Sequence, residues 1–446
     1  MGKSEIKNCI LLKVLCVSII VVSLCSFLGP YDYQFRSIDA IAYYYFCFLL
    51  LAIPLIFCSS KNRISVNKRG KESAFCELTI DGERTIMVAA IIAIMAALLF
   101  TLECMRLFPL DVILAGGDFR ADFSESRSTI SKYCEIVACL GPATYLIVSR
   151  LDNVKIKGLV PLAFFALISM GLTGLLLGAR WKIFLCLLIL FFSLWLSKKT
   201  GIRISGQIKS IMRLLACIVL VALVLYAFYI LFSVRGTLAA DEQYRFYYGD
   251  MPLKSWAYNL YSATHGAVDP IYKAIDYIGQ SPYVFSYIFI HFLPDHMYYG
   301  AYAFRVLGDL FSIIGIPFPS SSEIARETFT GMYSGSAYGI ITDFGVIFTP
   351  VVFLLIGLFF ASIERRRIIS RLASVIFPLV CGMIACSPVY YFFHVGYADY
   401  ILWCLLVLYG FVSLARLWLL SHNDKNNLKQ NRLYRLNNEC KNEVKR

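Results

Sequence analysis

Leu175-Leu-Leu-Gly-Ala-Arg-Trp-Lys-Ile-Phe-Leu-Cys-Leu-Leu-Ile-Leu190 sets Arg180 between two apolar runs. An always-charged guanidinium is expensive beside hydrocarbon unless it sits at the membrane interface or finds an anionic partner. Arg235, in Ser233-Val-Arg-Gly236, repeats the arrangement at the end of another apolar segment. Outward from these two arginines, the sequence reads as a membrane scaffold holding a charged site on one face.

Of the 446 residues, 59% are hydrophobic and only 16% charged, against about 25% charged in a soluble domain. The class is therefore a polytopic, all-α membrane protein. The first apolar run, Ile10 to Leu28, is long enough for ~30 Å of hydrocarbon and has no small-residue cleavage site in good context, so it is expected to stay as a span. The 15 cysteines fall almost all in apolar runs or in basic loops. They read as small core hydrophobes, with no disulfides expected.

Hydropathy predicts about ten spans, at roughly 9–29, 38–58, 85–103, 133–149, 158–178, 181–197, 212–233, 336–363, 373–393 and 397–420. Both termini then lie on one side. That side also receives the short loops, which with the termini hold most of the 42 Lys and Arg but about a third of the 29 Asp and Glu. The bias marks it as cytoplasmic and accounts for the net charge of +13 without a nucleic-acid partner. The basic tail over 421–446 reads as a cytoplasmic end lying along anionic lipid.

The other side has one modest loop, about 104–132, and one long segment, 234–335. The latter separates an N-terminal membrane region (1–233) from a C-terminal one (336–420). A connection of ~100 residues is where function is sought. Its aromatic content, with Tyr244, Phe246, Tyr247, Tyr248, Trp256, Tyr258 and Tyr261 close together, is unlike disorder. Ser281 to Pro294 is apolar but only 14 residues long, which suits a re-entrant or interfacial helix better than a span.

The order of features resembles the Wzy-type oligosaccharide repeat-unit polymerases, the O-antigen and capsule polymerases of the bacterial inner membrane. The matching features are Gly178-Ala-Arg180 at the outer end of a span, Arg235-Gly236 opening the long segment, and Leu293-Pro294 after an interfacial stretch. Last comes Tyr338-Gly-Ile-Ile-Thr-Asp-Phe-Gly345, running into a span with Gly357. The resemblance implies a helical membrane glycosyltransferase of GT-C-like architecture. It would move a growing glycan from one undecaprenyl-pyrophosphate carrier onto a second carrier-linked repeat unit. Donor and acceptor glycans, membrane lipid, a chain-length regulator and a flippase are the partners it implies.

The chemistry this requires agrees with the residues. A pyrophosphate leaving group needs positive charge that survives any pH, and the planar fork of arginine suits phosphate oxygens. The candidates are Arg180, Arg235, Arg245, Arg305 and Arg326; as a plainer role, each would snorkel or pair with a carboxylate. A general base is sought among Asp343, Glu323 and Glu327, with Asp241, Glu242, Asp269, His265 and His296 as further outer groups. Asp343 lies just inside a span, where an ionisable residue is a functional hypothesis or a buried partner that orders the start of the helix. The histidine that related ligases carry before the last large outer-to-inner span has no counterpart between Ser320 and Thr342, which favours polymerase over ligase.

No cofactor is expected. Tyr31–Ser37 lacks the Asp-x-Asp of metal-dependent lipid-sugar transferases, His291 and His296 match no standard ligand spacing, and no phosphate-binding Gly-Lys-Ser/Thr loop is present. A transporter or flippase is the alternative from another class, although the internal repeat usual in such proteins is not visible.

Overall fold

The computed structural model describes residues 9–33, 37–60, 80–108, 128–151, 154–176, 180–199, 244–246, 249–291, 295–303, 335–367 and 370–414, with isolated positions between them. The described chain is helical apart from a short antiparallel pair, β1 (Tyr244–Phe246) with β2 (Gly249–Met251). Among the described residues, five helices are long and apolar enough to cross a membrane: α1 (Ile10–Leu28), α2 (Ile38–Ser60), α3 (Ile80–Leu107), α11 (Gly335–Arg366) and α13 (Val395–Leu414).

Their outward faces are what lipid requires. On α1, Val17, Ile20, Leu24, Phe27 and Leu28 are exposed, and on α11 Ile347, Val351, Leu355 and Leu358. Both sets recur at three- and four-residue spacing, so each forms one apolar stripe. Inward, α3 turns a small-residue face, Ala90 and Ala93, onto Ala166 of α6 (Leu159–Leu176), the close approach that drives helix association without a hydrophobic effect.

The ten expected spans are met in part. α6, α7 (Arg180–Lys199) and α12 (Arg371–Cys386) occupy three of the expected positions, but their apolar cores are shorter, Leu159–Gly174, Trp181–Leu196 and Arg371–Cys386. The span expected over 133–149 is two helices, α4 (Thr129–Val137) and α5 (Leu140–Val148). Pro142 has no N–H for the Ala138 carbonyl, which accepts instead from Gly141 at 2.9 Å, and the chain turns there. The span expected over 212–233 lies outside the described residues. The twelve cysteines among the described residues are free thiols, most of them buried.

From the long segment over 234–335, α8 (Ser255–Ala263), α9 (Asp269–Gly279) and α10 (Ser281–His291) are placed against the bundle. Helix α10 is the stretch expected to be interfacial, and it is wedged inside the protein. Tyr283, Val284, Phe285 and Ile288 are buried. Phe285 packs on Tyr44 and Tyr43 of α2 and Tyr338 of α11, with centroids 5.2, 6.5 and 6.5 Å away. The aromatics that do face outward are on α8, where Trp256 is 50% and Tyr258 46% exposed. Lys254 ties the start of α8 to the last turn of α1, its Nζ donating to the Phe27 carbonyl at 2.8 Å. Helix α9 lies on that same end of α1, because Gly279 lets its backbone approach Cys25: a Cβ there would come within 2.6 Å of the Cys25 carbonyl carbon. Tyr33 seals this contact, donating to Asp276 at 2.6 Å. Burial raises the Asp276 carboxyl to about 7, against the pull of that hydrogen bond.

The pairing of α2 with α11 sets the frame. Phe48 meets Phe353 edge-on at 5.6 Å, and Gly357 sits on the Leu51 carbonyl beside Pro54. Helix α11 is broken at Gly345, whose φ of 69° is left-handed, a conformation glycine adopts without steric cost. The break frees carbonyls one turn earlier, and residues 298 and 299 claim them. The Tyr298 N–H donates to Thr342 at 3.3 Å and that of Tyr299 to Asp343 at 2.8 Å.

At Gly357 a Cβ would meet the Leu51 carbonyl oxygen at 2.7 Å, whereas at Gly410 nothing lies within 4 Å. Gly357→Ala should therefore cost about 1–3 kcal/mol and lower the melting temperature of the detergent-solubilised protein. Gly410→Ala, a helical position with open space, should leave it unchanged or raise it.

Candidate functional site

Polar and charged side chains converge between the last turn of α4 and the opening turns of α7 and α13. Lys182, in the first turn of α7, is buried with Glu135 of α4, and the two form an ion pair. The Tyr397 hydroxyl donates to the same Glu135 carboxylate at 2.8 Å, and its ring lies 4.2 Å beneath the Lys182 ammonium. The Arg305 guanidinium also stands 4.3 Å from the Tyr397 ring centroid, and 4.6 Å from that of Tyr400. Arg305 is held by Asp399 through two bonds of 2.6 Å, from Nε and from Nη2. This is the bidentate fork that makes arginine selective for carboxylate and phosphate. The pair is mostly sequestered, Arg305 retaining 14% side-chain exposure and Asp399 4%.

Local backbone explains how α13 delivers these groups. Its opening 3-10 turn, Val395–Tyr397, contains Gly396 at φ 51° and Tyr397 at φ 67°. A left-handed tyrosine costs of order 1–3 kcal/mol and persists only where the surroundings over-determine it. Here two cations over the ring and a hydroxyl bond to Glu135 do so. Gly396 is required for a second reason, since a Cβ would meet the Trp181 carbonyl oxygen at 2.4 Å.

Arg305 follows a strap, residues 298–303, laid across α11 just before its break and across the entry to α13. Asp343 accepts the Tyr302 N–H at 2.8 Å on one oxygen and the Ala303 N–H at 2.7 Å on the other. His394 Nε2 meets the Tyr302 carbonyl, and the Tyr302 ring stacks on Tyr391 at 5.3 Å. Burial, with Arg305 nearby, holds the His394 imidazole well below its usual pKa. It is therefore neutral and donates from Nε2. In the stretch Tyr338–Gly345, Gly339 leaves room for the Tyr391 ring, Asp343 caps the strap and Gly345 breaks the helix.

Of the residues singled out from the sequence, Arg305 and Asp343 are brought together, one following the strap and the other anchoring it. Arg180 opens α7 and Arg245 lies in β1, but their side chains are outside the described residues, as are Arg235, Arg326, Glu323 and Glu327 altogether. Asp269 is engaged by Lys273 at 2.6 Å, and His265 lies in the turn between α8 and α9. Among the described residues no group of three or more His, Cys, Asp or Glu has metal-binding geometry.

The sequence reading missed Glu135, Lys182, His394, Tyr397 and Asp399. A signal for three of them was present: Glu135, Lys182 and Asp399 are ionisable residues inside apolar segments, the criterion that drew attention to Asp343.

A double-mutant cycle tests the central pair. Removing one partner strands a buried charge at about 3–5 kcal/mol, so Arg305→Met and Asp399→Leu should each lower thermal stability strongly. The double variant should recover much of the loss; additive losses would mean that the pair does not exist in the membrane.

No protein-family model matches the chain, and neither a curated protein nor a solved structure is significantly similar to it.

Proposed function

We propose that the protein is a glycosyltransferase that polymerises undecaprenyl-pyrophosphate-linked repeat units at the outer face of a bacterial inner membrane, with lipid pyrophosphate as leaving group. The observation that carries this reading is Arg305: a partly reachable guanidinium, oriented by two tyrosine rings, at the membrane-surface end of a helical bundle. Asp399 fills its fork with two oxygens in the geometry that a phosphate presents. An incoming pyrophosphate takes Arg305 in exchange.

In the reaction, the acceptor hydroxyl gives its proton to an outer carboxylate while its oxygen bonds to the anomeric carbon of the donor. The bond from that carbon to the pyrophosphate oxygen breaks, and its electron pair stays on the pyrophosphate, where arginine stabilises it. Asp399, once released from Arg305, would serve as that base, with Glu323 and Glu327 as the further candidates from the sequence. Asp343 acts as a positioning residue, since both of its oxygens hold the strap. Arg180 and Arg235 complete the anion clamp. Substrate recognition then needs neither metal nor nucleotide.

The buried Lys182–Glu135 pair favours one second reading, a transporter of a polar or lipid-linked solute, because paired charges inside a bundle also mark solute or proton pathways.

Deletion of the gene separates these readings on a gel of surface polysaccharide. A polymerase predicts loss of the long-chain ladder with single repeat units retained. Polymer left on its lipid carrier would indicate a ligase, and an unchanged ladder would leave the transporter. In the polymerase case, Arg305→Ala and Arg305→Lys should both fail to restore the ladder although the protein is inserted, because lysine lacks the two-pronged fork. Full restoration by Arg305→Ala would remove it from the site.

A further inference from the structure

The buried charges described above are matched within the protein. Lys182 faces Glu135, Arg305 faces Asp399, and Lys273 faces Asp269. Glu364 faces Arg367 at 2.9 Å and accepts the Leu11 N–H at 3.1 Å, while Glu83 accepts the Lys155 and Ile156 N–H groups at 2.8–3.1 Å. Arg150 is the exception. It follows α5 at the end of the bundle opposite the Arg305 cluster, is 4% exposed, and its Nε has no hydrogen-bond partner among the described residues. Burial pushes its guanidinium down to about 10. A buried guanidinium without a counter-charge is among the costliest groups a protein can carry.

Arg150 lines a cavity of about 50 Å³, and so do Arg371, Ser374, Tyr409, Ser413 and apolar residues such as Val375. Where one water needs about 10–15 Å³, this is room for roughly three or four atoms of that size, the bulk of a tetrahedral oxyanion. Among the described residues no carboxylate lines it. Arg371 is the first residue of α12, whose macrodipole adds positive potential at that point although Ser370 caps the Ala373 N–H. Two arginines, three hydroxyls and a helix start thus surround a space that no acidic side chain of the described residues enters. The walls also carry apolar residues from the end of α5, the start of α12 and the end of α13, Ile147, Val375 and Val412. A basic pocket between helix ends is the setting in which anionic headgroups bind.

We propose that the Arg150–Arg371 cavity is a phosphate-group site, filled in the membrane by the headgroup of an anionic phospholipid. The proposal is independent of the reaction at the opposite end. It gives Arg150 the counter-charge the chain does not supply and makes the junction of α5, α12 and α13 sensitive to lipid composition. A soluble phosphate would satisfy the same chemistry, so the test separates the two sources.

The full-length protein, stripped of lipid in a neutral detergent, is titrated with phosphatidylglycerol, with phosphatidylcholine or with inorganic phosphate. Melting temperature is read, together with bound lipid by native mass spectrometry. Phosphatidylglycerol should raise the melting temperature and phosphatidylcholine should not. Arg150→Met and Arg371→Gln should each weaken the apparent affinity for phosphatidylglycerol at least tenfold. Without lipid, Arg150→Met should melt at or above wild type, because an unmatched buried charge has been removed.

Equal responses to the two lipids, or wild-type affinity in both variants, would overturn the proposal. So would a marked loss of stability in lipid-free Arg150→Met, which would show that the chain itself neutralises Arg150. A shift saturated by inorganic phosphate alone, with no further effect of phosphatidylglycerol, would keep the phosphate site but overturn the lipid as its occupant.

Discussion

Hydrocarbon supplies no hydrogen bonds, and the break at Gly345 in α11 is built around that constraint. Interrupting a helix inside a bundle leaves carbonyls without donors, each an expensive loss. The strap at 298–303 docks where those carbonyls open, and Asp343 takes two of its amides in return. One helix break therefore creates the surface on which residues 298–303 are fixed. Glu83 and Glu364 use the same device at the opposite end, each accepting backbone N–H groups from another part of the chain. Buried carboxylates here act largely as staples between segments.

The same scarcity of partners sorts the charges. At one end of the bundle they form a chain of alternating partners, from Lys182 and Glu135 through Tyr397 to Arg305 and Asp399. Tyr397 is central because it offers a donor to an anion and a ring face to two cations at once, for which its backbone takes up a left-handed strain. Such a network is rigid while its members remain paired, yet an anion of higher charge that reaches Arg305 can compete for the fork. The opposite end differs in that Arg150 is left with an open cavity instead of a carboxylate.

Much of the fold was legible in the sequence, because runs such as Ile10–Leu28 and the long segment of α11 around Gly357 have only one stable environment. The break between α4 and α5 was missed: composition alone does not register that Pro142 removes a donor in the middle of an apolar run. Ser281–His291 was recognised as too short to span. Its burial against Tyr44 and Tyr338 depends on partners more than fifty residues and more than two hundred residues away, which periodicity cannot reveal. At the site, Arg305 and Asp343 were picked out by charge and position. Glu135, Lys182 and Asp399 were absorbed into apolar segments, and His394 was overlooked beside them. Nothing local in the sequence indicates that these four meet, because each comes to the cluster through helix packing.

The docking of the strap on Asp343 carries the rest of the account, and hydrogen exchange measures it most directly. With the protein in lipid nanodiscs, the amides of Tyr302 and Ala303 should exchange far more slowly than those of an exposed turn, and Asp343→Ala should release them. Exchange of the wild-type strap at the rate of an exposed turn would contradict the placement of Arg305 and the site built around it.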